Sequence, residues 1–419
     1  MLNWLFSKTP LVFLIQPFWR DEAFSYVMSQ NSISKILFAT AKDFNPPLYY
    51  IVLHFWQNAF GSTEISLRSL SFIFYWATVY VGFLILSEIM KFKFKKSLFY
   101  TLLIAINPLL VYYAFEARMY SMLAFLSTLS FYSLYKKNAA LYLLSSILGL
   151  YTHYFMIFVV LAQHLLERYR QKIVLLSFLP WLIFVLINRG VSVGSFWIEK
   201  IQSKNLITFI GQIYTGYEYS LRFYNKTIMP LSLLLLFIVL IGLMQKKTRQ
   251  FKLFFVWGLA IPFIILIISF FKPIFLPRYL IFSAVGLILL IALIINRLPN
   301  VFKVVLLTLL IISTIKYNQL QIKERNKSDI RKATAEIGFL MKNKDVVYVT
   351  SELDFFTVQY YLQKNKKDIY IWGKTYDEIP DFVGKALIDR DKVISSLPLY
   401  PNKAFILLPN GDYSIQSAF

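Results

Sequence analysis

Two adjacent carboxylates, Asp21 and Glu22, stand in a part of the chain where acidic side chains are scarce. The first 317 residues contain nine Asp and Glu residues, whereas the remaining 102 contain 13. A carboxylate can take up a proton as a general base or bind a cation, so we expect chemistry at this pair. On a helix, Glu22 would lie about 100° further around the axis than Asp21, so the two side chains cannot both point straight at the same atom. The alternative is that both acids occupy the first turn of a surface helix, where the helix dipole favours negative charge.

The elements that must position these acids are apolar and long. The chain is 58% hydrophobic and its mean hydropathy is +0.57. Apolar runs of roughly 15 to 25 residues recur, and each is about long enough to cross a ~30 Å hydrocarbon layer as a helix. The pattern predicts about eleven spans. They lie near residues 2–18, 65–90, 97–115, 119–135, 139–152, 154–167, 173–188, 227–244, 251–271, 279–296 and 301–316.

The basic residues predict how these spans are oriented. Short loops retained in the cytoplasm carry an excess of Lys and Arg, and alternate loops of this chain carry such clusters, for example at residues 91–96 and 246–252. The opposite, extracytoplasmic side then receives the loops around residues 21–22, 116–118, 151–154 and 277–279. The tail after about residue 318 joins them. We therefore expect an integral membrane protein of a prokaryotic plasma membrane, with its site outside the cytoplasm.

The net charge of +22 has a topological explanation. Of the 44 basic residues, 29 lie in the apolar body, mostly in loops that would face anionic lipid headgroups. We therefore expect the lipid bilayer, and not a nucleic acid, as the partner of this charge. The chain has no cysteine, which excludes disulfides, thiolate nucleophiles and sulfur metal sites.

Three further stretches have a recognisable pattern. Residues 20–63 read as amphipathic surface helices, the second of which opens after Pro46-Pro47. The aromatic loop 189–226 is a candidate lid, or alternatively a surface helix. The tail predicts a small extracytoplasmic α/β domain. Its helix-like segments are 330–341 and 355–362, and its strand-like segments are 345–350, 368–372 and 403–408.

The order of these motifs resembles a known superfamily. Asp21-Glu22 after the first span, then Asp43-x-Asn45-Pro46-Pro47-Leu48-Tyr49-Tyr50, then Glu116-Ala117-Arg118-Met119-Tyr120-Ser121, is similar to the GT-C superfamily of lipid-dependent glycosyltransferases. Glycosyltransferase family 39 is the nearest group, with protein O-mannosyltransferases and bacterial aminoarabinose transferases as relatives. The family's motif usually begins with His where this chain has Asn45. The resemblance implies an all-α polytopic membrane domain over residues 1–317 and an α/β domain over residues 318–419.

The resemblance also implies a reaction. A sugar would pass from a polyprenyl-phosphate donor to an acceptor hydroxyl on a protein, glycan or lipid, with inversion, at the outer face. Asp21 and Glu22 would be catalytic: Asp21 would be the general base that takes the proton of the attacking hydroxyl, and Glu22 would orient the acceptor or hold a divalent cation. The departing phosphate needs fixed positive charge, which Arg118, Arg278 and Lys272 could supply. The remaining candidate substrate-binding residues are Asp43, Asn45, Tyr49, Tyr120, His153 and Tyr279.

The main alternative is a multi-span transporter or flippase of lipid-linked saccharides. Transporters place charge near the bilayer midplane in broken helices and paired repeats. In this chain the distinctive charges fall at one predicted membrane edge, which favours the enzyme. Simple structural roles remain open for single residues: membrane-edge anchoring for Lys272, Arg278 and the tyrosines, pairing with Glu116 for Arg118, and an interface position for His153.

Overall fold

The computed structural model describes residues 6–188, 198, 200–218, 225–362 and 368–419, and most of them are helical. The helices of four or more residues run, in chain order, Val12–Ile15, Arg20–Ser29, Ile33–Ala41, Leu48–Phe60, Glu64–Leu84, Phe94–Ala105, Pro108–Ala114, Tyr120–Lys136, Ala139–Thr152, Met156–Leu166, Gln171–Asn188, Ser203–Thr215, Asn225–Met244, Arg249–Phe255, Ile261–Phe271, Ile281–Asn296, Asn300–Glu324, Arg331–Leu340 and Phe355–Tyr361. Segments of π-helix continue two of them, at Ile85–Ile89 and Val256–Ala260, and a 3₁₀ turn, Pro277–Leu280, precedes Ile281. The predicted fold class, an α-helical membrane protein with a small C-terminal sheet, is confirmed.

Six helices among the described residues are long and apolar enough to cross a membrane. They are Glu64–Ile89, Gln171–Asn188, Thr227–Met244, Arg249–Ile268, Pro277–Asn296 and Asn300–Glu324. The count becomes seven if the helices Phe94–Ala105 and Pro108–Ala114, which are bent by 68° relative to each other, are taken as one span. Asn107 caps the second helix of that pair by accepting from the amide of Leu110, and Pro108 starts it.

The other predicted spans correspond to shorter helices. Residues 119–135, 139–152 and 154–167 form helices of 17, 14 and 11 residues. At 1.5 Å per residue these are about 25, 21 and 16 Å long, short of a ~30 Å hydrocarbon layer. In the first predicted span, 2–18, the helix Val12–Ile15 has four residues. Apolar runs therefore predicted where helices lie, but not how far each helix extends.

The chain divides into two compact units. The first consists of Met1–Phe13, Arg68–Trp181 and Ile198–Arg325, and the second of Leu14–Leu67, Leu182–Trp197 and Asn326–Phe419. The single boundary predicted near residue 318 stays a prediction.

The centre of the first unit is the helix Ile281–Asn296, whose residues 281–295 are all buried. Gly286 of this helix lies against Trp257 and Gly258: a Cβ atom added at Gly286 would be 2.5 Å from Trp257 Cγ and 2.9 Å from Gly258 N. The indole of Trp257 stacks on Phe131 at 4.4 Å and donates to the carbonyl of Phe282. Small residues therefore permit close backbone approach at this helix crossing, as is usual in membrane proteins.

The second unit contains a five-stranded sheet in its described residues. The strands are β1 (Val346–Val349), β2 (Ile369–Trp372), β3 (Val393–Ile394), β4 (Ala404–Leu407) and β5 (Tyr413–Gln416), in the spatial order β3-β2-β1-β4-β5. All neighbouring pairs are parallel except β4 with β5. β1, β2 and β4 coincide with the predicted segments, whereas β3 and β5 were missed. β3 has only two residues and β5 is largely exposed, so neither has a marked apolar pattern.

The three helices after the first apolar stretch also belong to the second unit. Leu48–Phe60 begins directly after Pro47, as the tandem prolines predicted. Arg20–Ser29 packs on Phe355–Tyr361 of the α/β region. Phe24 meets Phe356 at 5.5 Å between ring centroids, and Tyr26 meets Tyr360 at 4.9 Å. Aromatic side chains thus fix the helix that carries the two acids.

Candidate functional site

The Glu22 carboxylate makes two structural contacts within the second unit. Its Oε2 atom accepts from the ammonium of Lys327 at 2.7 Å and from the backbone amide of Trp19 at 3.1 Å. The side chains of Glu22 and Lys327 are 0% and 4% exposed. The amide contact closes the N-terminus of the helix Arg20–Ser29. Glu22 is therefore both a helix cap and one half of a buried ion pair.

Asp21 precedes Glu22 in the chain, but its side chain is less buried than those of Glu22 and Lys327. It is in the first turn of the same helix and is only half-buried. Both acids thus occupy the first turn of a helix, as the alternative without a catalytic role predicted, and the Glu22 side chain caps that helix. Asp21 therefore combines a fixed backbone with a side chain that is not fully buried.

Arg20 holds the same helix turn from another direction. Its guanidinium donates to Asp354 through Nε at 2.8 Å and through Nη2 at 3.3 Å, in a two-pronged contact. The Tyr361 hydroxyl donates to the Glu64 carboxylate and accepts from the amide of Phe18. Burial and the Glu64 carboxylate raise the pKa of Tyr361, so this hydroxyl stays protonated. The α/β region thus fixes the turn on both sides of Asp21.

The Asn-Pro-Pro motif lies between the helices Ile33–Ala41 and Leu48–Phe60. Asp43, Asn45 and Tyr49 are all buried. Tyr49 meets Tyr50 edge-on at 5.9 Å, and Tyr50 meets Phe24 of the Asp21 helix at the same distance. The structure therefore brings this motif against the helix of the candidate base.

A second group of predicted residues meets in the first unit. Tyr120, His153 and Tyr279 come from three segments that are distant in sequence. The His153 ring is 5.0 Å from Tyr279 and 6.2 Å from Tyr120, and the two tyrosines stack at 6.2 Å. The Arg118 guanidinium lies 5.9 Å from the Tyr120 ring, within range of a cation–π contact. Three of the four loops that the charge pattern placed on one side are thus adjacent.

Arg278 precedes Tyr279 and faces an acid that the sequence reasoning missed. Its Nε atom is 3.7 Å from Oε1 of Glu218, and each side chain is 17% exposed. This separation is longer than a hydrogen bond, so the pair is an ionic contact. Arg118 and Arg278 thus place positive charge near the cluster of Tyr120, His153 and Tyr279 (the Tyr120 cluster), and Glu218 lies beside Arg278.

Lys272 and the predicted lid are less informative. Lys272 is exposed at the C-terminal end of the helix Ile261–Phe271, and none of its described contacts joins it to the Tyr120 cluster. Within 189–226, residues 203–215 form a helix that buries Phe209, Ile213 and Tyr214. Phe196, Trp197, Tyr219 and Tyr224 lie outside the described residues.

No cluster of three or more His, Asp or Glu side chains suited to a metal ion occurs in the described part of the chain. At Glu22, the candidate ligand, the Lys327 ammonium supplies positive charge 2.7 Å from the carboxylate. A divalent cation stays an untested prediction.

The sequence reasoning did not single out Glu218 or Lys327, and only Glu218 could have been found from the sequence. Glu218 is one of nine acids in the first 317 residues, so the scarcity that singled out Asp21 also applied to it. Lys327 follows the charged residues Lys323-Glu324-Arg325 after one asparagine, and no motif distinguishes it from them. A contact between positions 305 residues apart is not visible in local sequence.

Comparison with known proteins gives a structural match. No family model and no curated protein matches the chain. The crystal structure of ArnT from Cupriavidus metallidurans in the apo state is similar at a TM-score of 0.58 and 13% identity, covering 97% of this chain and 91% of that one. ArnT from the same organism bound to undecaprenyl phosphate is similar at 0.58 and 12% identity, covering 95% and 91%. The chain therefore has the same fold as ArnT over nearly its whole length.

Proposed function

We propose that this protein transfers a sugar from a polyprenyl-phosphate donor to an acceptor hydroxyl at the outer face of the membrane. The observation that carries the proposal is the match over 97% of the chain to ArnT, which also has a structure bound to undecaprenyl phosphate. The motif order and the apolar helices support it independently. The α/β region would lie on the same outer face.

Asp21 is the general base of this reaction. The acceptor oxygen attacks the anomeric carbon, its proton passes to Asp21, and the bond from that carbon to the phosphate oxygen breaks with inversion. Polyprenyl phosphate leaves as a stable anion, so no general acid is required and one carboxylate suffices. Two observations support this assignment: Asp21 is half-buried, whereas the neighbouring Glu22 is fully buried in its ion pair with Lys327.

Glu22 orients the helix turn that carries Asp21. Its oxygen is engaged by Lys327 and by the Trp19 amide, which favours this role over that of a cation ligand. Arg118 and Arg278 stabilise the departing phosphate, because guanidinium groups bind phosphate oxygens in a two-pronged manner. Tyr120, His153 and Tyr279 form the wall beside them.

The test uses purified protein in lipid nanodiscs and a panel of polyprenyl-phosphate sugars, with and without a chelator. At least one donor should be consumed by the wild-type protein, and ~10²-fold or more slowly by Asp21→Asn prepared identically. Consumption should survive the chelator if no divalent cation takes part. Failure of every donor to react would contradict the proposal. Movement of intact donor across vesicles, without cleavage of its phosphate bond, would instead support the transporter.

A further inference from the structure

A polar cleft of about 330 Å³ opens in the second unit, apart from the residues assigned above. It is lined by Gln30, Gln57, Asn58, Gly61 and Ser62. Gln30 follows the end of the helix Arg20–Ser29, and Gln57 and Asn58 lie in the last turn of Leu48–Phe60. The volume is at the lower end of the range for small-ligand sites, about 300–1,000 Å³.

The lining has an unusual composition for this chain. Lys and Arg make up 44 of 419 residues, yet every side chain that lines this cleft is uncharged. Carboxamides and a hydroxyl both donate and accept hydrogen bonds. A phosphate or a carboxylate binds most strongly beside a cationic side chain, which this lining does not contain, whereas the hydroxyl groups of a neutral sugar match it.

Gln57 adds a second observation, because one of its polar atoms is buried without a partner. The side-chain nitrogen of Gln57 donates to the carbonyl of Ser29 at 2.8 Å, which fixes the amide orientation. Its Oε1 atom is buried and has no hydrogen-bond partner among the described residues, and Gln57 is 9% exposed. Buried polar atoms are nearly always satisfied, so an unsatisfied one needs an explanation. A ligand hydroxyl that enters the cleft and donates to this atom would supply one.

The surrounding contacts hold the cleft in shape. His54 Nδ1 is 2.7 Å from the same Ser29 carbonyl, and Asn58 Nδ2 is 3.3 Å from His54 Nε2. The Gln30 amide donates to the Tyr26 hydroxyl. Gln30 and Asn58 are themselves exposed, so the cleft is open to a ligand from solvent. A site whose polar groups are already oriented loses less entropy on binding.

We propose that this cleft is a subsite for a neutral sugar unit of the acceptor, with Gln57 Oε1 accepting from a sugar hydroxyl. The proposal rests on the proposed function, since it makes the acceptor a glycan and not a peptide or a phospholipid. Asn58 and Gln30 bind further hydroxyls at the rim. The cleft acts in acceptor binding only, so the donor reaction with water does not depend on it.

The test compares the wild-type protein with Gln57→Leu, Asn58→Leu and, as a matched control, Gln416→Leu, an exposed amide outside the cleft. Asn58 is exposed, so its variant folds even if Gln57→Leu does not. Each detergent-purified protein is applied to an array of neutral and acidic oligosaccharides, and donor consumption without acceptor is measured separately. We expect retention of the wild type by neutral glycans, and about tenfold weaker binding for each cleft variant, the effect of about one hydrogen bond. The control should bind like the wild type.

Other outcomes separate the two proposals. Retention by acidic glycans alone, equal retention of all four proteins, or no retention of the wild type would overturn the subsite. Loss of donor consumption in Asn58→Leu would also overturn it, because the cleft would then serve the donor. A wild-type protein that consumes no donor yet is retained by neutral glycans would contradict the proposed function and leave the sugar site standing.

Discussion

Glu22 and Lys327 form a buried ion pair, 2.7 Å long, between positions 305 residues apart. Desolvating two charges is costly, so such a pair contributes little net stability, whereas removing one partner leaves an uncompensated buried charge. The role of the pair is therefore positional: it holds the helix turn that carries Asp21 against the start of the C-terminal segment, at Lys327.

Breaking this pair from one side should be far more harmful than removing both charges. Lys327→Met should destabilise the protein by about 3–5 kcal/mol, and adding Glu22→Gln should restore most of that loss. Thermal unfolding of the single and double variants in one detergent measures the coupling. Additive losses in the double variant would mean that the two charges do not interact.

Asp21→Asn keeps the shape of the side chain but removes the proton acceptor. Transfer should fall by ~10²-fold or more, with the melting temperature nearly unchanged. The matched control is Asp412→Asn, an exposed acid before β5. Substantial transfer by Asp21→Asn at saturating donor would refute the assignment, and a larger loss in a folded Glu22→Gln protein would reverse the two roles.

Arg278 can be tested for phosphate binding with a pair of substitutions. Lys keeps the charge but loses the fork, so Arg278→Lys should lower the transfer rate more than donor affinity, whereas Arg278→Ala should damage both. Initial rates against donor concentration in one lipid separate the effects. Glu218→Gln serves as a control for loss of the ionic contact alone. Wild-type kinetics in Arg278→Lys would indicate headgroup anchoring instead.

The crossing at Gly258 and Gly286 should not tolerate a methyl group. A Cβ atom on Gly258 would lie 2.4 Å from the backbone nitrogen of Leu287, which cannot move aside. Gly258→Ala should therefore cost about 1–3 kcal/mol. Gly82→Ala is the matched control, because its Cβ atom would meet only the flexible end of Ile104, at 2.5 Å. Equal melting temperatures for the two variants would show that the crossing can relax.

Acid should remove a small part of the stability through Asp329. Its hydrogen bonds to the Arg331 side chain lower the pKa of Asp329. Such a group stabilises the fold above its ordinary pKa of about 3.9 and loses this effect as the pH falls through the folded value. The Asp329 side chain is 49% exposed, so we expect less than about 1 kcal/mol. Asp329→Asn should melt slightly below the wild type at pH 7 and together with it near pH 2. A gap that widens on acidification would contradict this sign.

The spacing of apolar residues predicted where helices and strands occur in this protein, but it predicted their ends less well. The β-branched run at Val346–Val349 and the helical pattern at Phe355–Tyr361 became β1 and a helix as expected, because local apolar spacing determines both. The 11-residue helix Met156–Leu166 shows the opposite case, since an apolar run does not reveal where a helix ends.

Some features of the candidate site could likewise be predicted from the sequence, and others could not. Loop charge predicted that the segments of Tyr120, His153 and Tyr279 lie on one side of the membrane, but the contacts between these side chains were not themselves predicted. The different environments of Asp21 and Glu22 did not follow from sequence, because they depend on Lys327 and Asp354, residues brought close only by tertiary folding. That Asp21 and the Tyr120 cluster open into one cavity stays a prediction.

The long sequence separation within the second unit sets an order of assembly during synthesis. The helix Arg20–Ser29 is synthesised before its partners Lys327 and Asp354, which follow the residues they contact by 305 and 334 positions. At roughly 5–20 residues per second, this interval is about 15–70 seconds. The turn that carries Asp21 waits through the insertion of the intervening apolar helices before its partners exist. The candidate base therefore acquires its final position only after synthesis has passed residue 354.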